Sequence, residues 1–141
     1  MNPEGAPERS QRVLVIDDEE PLLRTFGRFL KDCDVVAALG GARAIELIDS
    51  GQVFDVIVCD LMMPDVDGMM VYDRIRRTSP GLEQRVIFCT GGAFSDRVRT
   101  FLEGLSNVVL DKPVPSRLLC EAVGAAIGRP APDALDPLRS A

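Results

Sequence analysis

Apolar residues occur in five short runs along this chain, and polar stretches of helical period separate the runs. Runs of this length are typical of buried strands, and they cover residues 13–16, 35–38, 53–59, 86–89 and 108–110. Because most of these runs are apolar at consecutive positions, both faces of the sheet are expected to be covered. Such a sheet is usually parallel.

Amphipathic helices are predicted between the runs. Two longer ones cover residues 22–30 and 118–127, and three shorter ones cover residues 42–50, 67–78 and 95–104. Ser95 suits an N-cap, and Gly51 and Gly104 suit helix ends. The alternation predicts an α/β fold of (βα)₅ type, a doubly wound parallel sheet of five strands with right-handed crossovers.

Chemically capable side chains come directly after four of the five predicted strands. They are Asp17 and Asp18 after the first, Asp60 after the third, Thr90 after the fourth and Lys112 after the fifth. Ligands bind at the carboxyl ends of the strands in open parallel sheets. With a strand order of 2-1-3-4-5, the three carboxylates crowd together and favour a hard divalent cation such as Mg²⁺.

Composition limits the domain count and the partners. The 141 residues suit one domain, predicted over 12–128, with flexible tails over 1–11 and 129–141 that are polar and rich in proline. A formal charge of -6 without a basic run argues against nucleic acid or a membrane surface as partner. No apolar stretch is long enough for a membrane span or a secretion signal, so we expect a cytoplasmic protein.

The absence of histidine excludes histidine chemistry within the chain, and four scattered cysteines without a C-x-x-C pair disfavour a zinc site. Cys59 and Cys89 are expected to be small core residues.

Four separated motifs together resemble the receiver domain of two-component response regulators. They are Asp17-Asp18-Glu19, the segment from Asp60 to Gly68, Thr90 and Lys112-Pro113. Thr90 follows Asp60 by 30 residues and Lys112 follows it by 52, and the resemblance covers about residues 11–128. It implies the flavodoxin-like fold of receivers and a cis Lys112-Pro113 bond. The segment from Gly91 to Pro113 is similar to receivers at the end of hybrid sensor histidine kinases.

The resemblance also implies a role for each residue. Asp60 would accept a phosphoryl group from a histidine kinase or a histidine phosphotransfer protein. Asp18, Asp60 and the backbone carbonyl of Met62 would bind Mg²⁺, and Asp17 would do so mainly through water. Thr90 and Lys112 would stabilise the charge of the transferred phosphoryl group.

Several alternatives stay open. Taken alone, Asp18 suits a helix cap and Lys112 a solvated surface lysine. An aspartyl-phosphate phosphohydrolase also uses an aspartate nucleophile, but it needs an acid where this chain has Met62. A receiver-like interaction module that works without phosphorylation is the main alternative.

One position departs from the receiver pattern. Val109 stands where many receivers have a switch aromatic, three residues before Lys112. We therefore expect phosphorylation to move Thr90 and the loop 90–95, with Phe94 or the following helix as the element that repacks.

Overall fold

Five parallel strands form one central sheet in the order β2-β1-β3-β4-β5. The computed structural model describes residues 10–92 and 95–128. The strands are β1 (Arg12–Asp17), β2 (Asp34–Leu39), β3 (Val56–Asp60), β4 (Val86–Thr90) and β5 (Val109–Asp111). The predicted strand order is thus confirmed, and β1 and β3 are neighbours that pair from Val13 opposite Val56 to Ile16 opposite Cys59.

Helices follow each strand, as the sequence predicts. They are α1 (Glu20–Phe29), α2 (Gly41–Asp49), α3 (Gly68–Thr78), α4 (Asp96–Glu103) and α5 (Ser116–Ile127). Ser95 caps α4, because its side chain accepts a hydrogen bond from the Val98 amide. A short 3₁₀ helix over Leu82–Arg85 precedes β4 and was not expected from the pattern.

Two apolar clusters cover the two faces of the sheet. The first contains Ile57 and Cys59 of β3 and packs against α2, α3 and α4. The second contains Val56 and Val58 of the same strand and packs against α1 and α5. Alternate residues of β3 therefore face opposite layers, which explains why the strand is apolar at consecutive positions.

The third and fifth predicted strands begin too early in the chain. The third strand begins at Val56 rather than at residue 53, and Val53 is 66% exposed. The preceding loop is fixed by the Asp55 carboxylate, which accepts a hydrogen bond from the Arg12 amide at 2.8 Å. The fifth strand covers Val109–Asp111 rather than residues 108–110, because Asp111 still pairs with Thr90 of β4.

The expected tails over 1–11 and 129–141 lie outside the described residues, apart from residues 10 and 11. Residue Phe94, expected to take part in the switch, also lies outside them. Among the described residues, no helix has both the length and the apolar character needed to cross a membrane.

Candidate functional site at the carboxyl ends of the strands

Three polar residues are buried in the described part of the chain, and all three end a strand. Asp17 ends β1, Asp60 ends β3 and Thr90 ends β4, and their exposed fractions are 1%, 4% and 1%. Buried polar groups cost stability unless they have partners. Their convergence at one edge of the sheet is the arrangement expected of a binding site in this architecture.

Asp17 is held from both sides. One carboxylate oxygen accepts a hydrogen bond from the Glu19 amide at 2.9 Å, and the other accepts one from the Lys112 ammonium at 2.8 Å. Helix α1 begins at Glu20 with Glu19 as its N-cap residue and without a side-chain cap. The reading of Asp18 as a helix cap is therefore wrong.

Asp18 and Glu19 lie at the mouth of the site. Both are exposed, and one carboxylate oxygen of each lies within 4.8 Å of the others and of an Asp17 oxygen. Carboxylate oxygens are the ligands that Mg²⁺ prefers. This acidic edge lies on the loop between β1 and α1.

The Asp60 carboxylate is in an unfavourable environment for a charge. Burial and the neighbouring Asp17 raise the pKa of Asp60 to about 6, although the Lys112 charge and a hydrogen bond from the Met62 amide act in the opposite direction. The Met62 amide lies 3.2 Å from one Asp60 oxygen, and Lys112 lies 3.3 Å from the other. An additional cation would favour the ionised form.

Lys112 joins the two buried aspartates and is not a solvated surface lysine. Its side chain is 15% exposed, and its ammonium lies 2.8 Å from Asp17 and 3.3 Å from Asp60. Burial alone would lower the pKa of Lys112, but hydrogen bonds and charge from the two aspartates outweigh that effect and raise it. The ammonium therefore stays charged. The peptide bond to Pro113 is cis, as expected.

The Thr90 hydroxyl is buried and has no hydrogen-bond partner among the described residues. Such groups are uncommon in folded proteins, because an unsatisfied polar atom costs about 1–3 kcal/mol. The backbone at this point is fixed, since the Thr90 carbonyl accepts a hydrogen bond from the Lys112 amide at 2.8 Å. The free hydroxyl thus fits a ligand with hydrogen-bonding oxygens.

The loop after Asp60 approaches helix α3 closely. A Cβ atom on Gly68 would lie 2.6 Å from the Asp60 carbonyl oxygen and 2.8 Å from the Leu61 Cα, so glycine is required there. Asp67 caps α3 by accepting a hydrogen bond from the Met70 amide. The Met62 side chain is 51% exposed on this loop.

The fold and the site together define a doubly wound α/β domain that presents buried carboxylates, a lysine and a free hydroxyl at one sheet edge. Residues 13–124 match the family of response regulator receiver domains. The chain belongs to this family and is a receiver domain of two-component signalling. Domains of this family take a phosphoryl group from histidine kinases or phosphotransfer proteins and are generally not catalytic enzymes themselves.

Relatives with known names agree with this assignment. The chain is 30% identical to the transcriptional regulatory protein GlrR of Escherichia coli over 85% of its own length and 27% of GlrR. It is also 30% identical to the sensor protein GacS of Pseudomonas syringae, over 89% of this chain and 15% of GacS. The chain thus spans about a quarter or less of these relatives.

Solved receiver structures have the same fold. A response regulator receiver protein from Sinorhizobium medicae is 30% identical, with a TM-score of 0.73 over 84% of this chain and 94% of the other. A receiver domain protein from Clostridium thermocellum is 27% identical, with a TM-score of 0.75 over 84% of this chain and 95% of the other.

The structure brings Asp17, Asp60, Thr90 and Lys112 to one edge of the sheet, as the sequence predicts, but sequence reasoning missed some of their contacts. It gave Lys112 a role toward the transferred phosphoryl group, but it did not predict that the Lys112 ammonium lies closer to Asp17 than to Asp60. It also grouped Asp60 with Asp17 and Asp18, while the tight carboxylate cluster in the structure contains Glu19 instead. The run Asp17-Asp18-Glu19 is the sequence signal that could have included Glu19 in the cluster. The direction of the Glu19 side chain, however, depends on where α1 begins.

Proposed function

We propose that Asp60 is the phosphoacceptor of this receiver domain. Of the two buried aspartates at the site, Asp17 is bonded through both oxygens to the Glu19 amide and Lys112. Asp60 lies at the end of the central strand β3, and one of its oxygens contacts Lys112 at 3.3 Å. A carboxylate in this position can attack the phosphorus of a phosphohistidine and form an acyl phosphate.

The single observation that carries the proposal is the Thr90 hydroxyl, which has no hydrogen-bond partner among the described residues and lies on the strand next to that of Asp60. It is buried, and β3 pairs with β4 so that Asp60 lies opposite Cys89, the residue before Thr90. In this proposal the hydroxyl donates a hydrogen bond to a phosphoryl oxygen, and Lys112 compensates the negative charge. Positioned donors of this kind are the main source of catalysis in phosphoryl transfer.

We further propose that Mg²⁺ binds at the acidic edge. Asp18, Asp60 and the Met62 carbonyl would hold it directly, and Asp17 would do so mainly through water. The raised pKa of Asp60, which burial and the Asp17 charge cause, and the cluster of Asp17, Asp18 and Glu19 support a cation, because a bound cation would stabilise the ionised carboxylates. When bound, the ion would neutralise charge on the phosphoryl oxygens and keep Asp60 ionised.

The domain boundaries, location and partners are part of the same proposal. We propose that residues 12–128 form the receiver and that it works in the cytoplasm. The described cysteines are free thiols, which suits a reducing compartment. A histidine kinase or histidine phosphotransfer protein supplies the phosphoryl group, the output passes to a protein partner, and neither nucleic acid nor membrane is contacted directly.

Phosphorylation by a small-molecule donor such as acetyl phosphate tests the proposal. With Mg²⁺ present, the mass of the wild-type chain should increase by one phosphoryl group, and chelation of the metal should abolish the increase. Asp60→Asn should remain unlabelled, whereas Asp65→Asn, a change on the exposed loop nearby, should be labelled like wild type. An unlabelled wild type would instead favour a module that works without phosphorylation.

A further inference from the structure

The described residues of helices α3 and α4 border a groove that lies outside the phosphoryl site. The groove consists of two depressions of about 370 and 470 Å³, which share Met69, Asp73 and Arg97 among their lining residues. Clefts that hold ligands have volumes of about 300–1,000 Å³. The groove is therefore large enough to take up side chains of another molecule.

The floor of the groove is apolar. It is formed by aliphatic, methionine and aromatic side chains, namely Ile45, Met69, Met70, Tyr72 and Phe101. Phe101 packs edge-on against Tyr72 at 5.3 Å and against the buried Phe88 at 5.7 Å, so the position of its ring is fixed. The Met70 side chain is 45% exposed. Methionine adapts its shape to a bound partner, and an exposed one suits a binding surface.

The charged part of the lining is mainly positive. Among the described lining residues, four are arginines and one is an acid, and these are Arg74, Arg76, Arg77, Arg97 and Asp73. Arg74 also pairs with Asp49 at the edge of the groove. The chain as a whole carries a formal charge of -6, so this local set of arginines differs from its overall composition. Electrostatic complementarity favours a negatively charged partner at such a surface.

The ion pairs that these arginines make within the chain are largely exposed to solvent. Asp73 is shared by Arg76 at 2.8 Å and Arg77 at 2.9 Å, and Arg97 lies 3.4 Å from Asp67. The Arg77 and Arg97 side chains are 71% and 70% exposed. Exposed ion pairs stabilise a fold very little. The guanidinium groups can therefore turn to carboxylates of a partner without a large loss of stability.

The shape of the groove favours a helix as the bound element. Its described lining residues belong to α2, α3 and α4, whereas an extended peptide adds to the edge of a sheet. A single strand of nucleic acid fits less well. Tyr72 and Phe101 pack against each other, so their rings are not free to stack on bases, and Asp73 lines both depressions and would repel phosphates.

We propose that the groove between α3 and α4 is the docking surface for an acidic amphipathic helix of a protein partner. The apolar face of that helix packs on Met70, Tyr72 and Phe101. Carboxylates on its flanking positions pair with Arg76 and Arg77 at the rim. The inference deepens the proposed function, and it rests on it only in assigning this surface to the partner that receives the output.

Binding of synthetic peptides to the full chain tests the proposal. The probe is a fluorescent amphipathic helix of about 15 residues, with leucines on one face and glutamates on the other. One control peptide has lysines in place of the glutamates, and another has serines in place of the leucines. In fluorescence anisotropy the probe should bind at least about 10-fold more tightly than either control, and its affinity should fall as salt is added. Equal affinity for all three peptides would contradict the proposal.

Two charge-reversal variants form a matched pair. Arg77→Glu changes the rim of the groove, and Arg117→Glu changes helix α5 outside it. The two arginine side chains are 71% and 75% exposed, and each pairs with an acid on its own helix, Asp73 and Glu121. Arg77→Glu should weaken probe binding by about 10-fold or more, whereas Arg117→Glu should change it by less than about 2-fold. Equal losses would reveal a general charge effect and would rule out a defined site.

Methionine methyl signals in NMR spectra report where the probe binds. Met69 and Met70 line the groove, whereas Met62 is exposed on the Asp60 loop. The probe should shift the Met69 and Met70 signals and leave that of Met62 unchanged. Binding that shifts Met62 alone would place the probe elsewhere and refute the docking surface.

A single-stranded oligonucleotide and a second copy of the chain are the other candidate occupants. An oligonucleotide that binds as tightly as the probe, or a dimer in sedimentation that Arg77→Glu dissociates, would overturn the proposal. Peptide binding is measured without a phosphodonor, and Arg77→Glu should be labelled by acetyl phosphate like wild type. Loss of probe binding with normal labelling would count against the docking surface alone. Normal probe binding in a wild-type chain that is not labelled would support the surface and count against the phosphoacceptor alone.

Discussion

The Thr90 hydroxyl destabilises the fold but has a role in the proposed reaction. It is buried at the end of β4 and has no partner among the described residues. A buried hydroxyl without a partner destabilises the folded state, whereas a group isosteric to threonine without the hydroxyl would not. The same atom is the donor that we assign to the phosphoryl group, so stability and function should respond in opposite directions.

Thr90→Val should therefore separate the two effects. We expect the free energy of unfolding to stay equal or increase by up to about 1 kcal/mol. The rate of phosphorylation by acetyl phosphate should fall by roughly 10- to 100-fold, because a positioned donor is lost. Urea unfolding and mass-resolved labelling measure both quantities. Thr90→Ser keeps the hydroxyl and should stay within a few fold of wild type in rate; a variant that loses stability and rate together would contradict the assignment.

Asp60 is a second residue at which the stability of the fold and the proposed function conflict. Its pKa is raised to about 6 by burial and by Asp17, with Lys112 acting in the opposite direction. Because the folded-state pKa lies above the unfolded value, this group's contribution to stability is fully present below about pH 4. The contribution is lost as the pH rises through about 6.

Asp60→Asn should accordingly be more stable than wild type at pH 8 when the metal is chelated. The difference should reach up to about 3 kcal/mol, since one pKa unit corresponds to 1.36 kcal/mol, and it should disappear near pH 4. Urea unfolding across this pH range measures it. Excess Mg²⁺ should narrow the difference at pH 8 by stabilising the ionised wild type; a difference independent of pH would argue against the raised pKa.

Among the elements, helix α4 contacts the loop of Asp60 through an ion pair and packs against α3. Arg97 in its first turn lies 3.4 Å from Asp67, the cap of α3 on the Asp60 loop. Phe101 of α4 meets Tyr72 of α3 edge-on at 5.3 Å. Val109 of β5 is 37% exposed and offers no ring for an aromatic relay.

The sequence predicts movement of Thr90 and the loop 90–95, with Phe94 or the following helix as the element that repacks. Of these two, we expect the helix, α4, to respond to phosphorylation. Amide hydrogen exchange in α4 should change by at least about 2-fold on phosphorylation, whereas exchange in α1 should not, because local stability governs exchange. Arg97→Ala should reduce the change in α4 exchange that phosphorylation causes, and the variant should still be labelled. Unchanged exchange throughout 90–105 in the labelled protein would refute this switch.

At the scale of the whole molecule, the described residues form one five-stranded sheet with helices on both of its faces. Each face of the sheet has its own apolar cluster, and the two clusters share β3. The Gln11 carbonyl accepts a hydrogen bond from the Asp34 amide at 2.8 Å, so the ladder of β1 and β2 begins just before Arg12. This arrangement suits a domain that folds independently of the flanking segments.

A fragment of residues 10–128 should therefore keep the properties of the full chain. We expect its Tm to lie within about 2 °C of that of the full chain, because no described contact of the core is removed. Its labelling by acetyl phosphate should be unchanged. Thermal unfolding followed by circular dichroism, together with mass-resolved labelling, checks both expectations. A large loss in Tm would show that a flanking segment belongs to the folded unit.

The sequence by itself determined the α/β class, the order of five strands and five helices along the chain, and the polar residues at the carboxyl ends of four strands. Hydrophobic periodicity specifies which side chains are buried, and the spacing of Asp60, Thr90 and Lys112 carried the resemblance to receivers. It misplaced the start of the third strand, because Val53 and Phe54 are apolar like the strand although they belong to a loop. The local pattern of apolar residues does not distinguish a buried strand from an apolar loop beside it.

Only the tertiary structure decided how the polar residues pair. The contact of Lys112 with both Asp17 and Asp60 joins residues at the ends of three strands. The absence of a partner for the Thr90 hydroxyl among the described residues depends on all the groups packed around it. Such relations depend on distances between segments far apart in the chain, which periodicity does not encode.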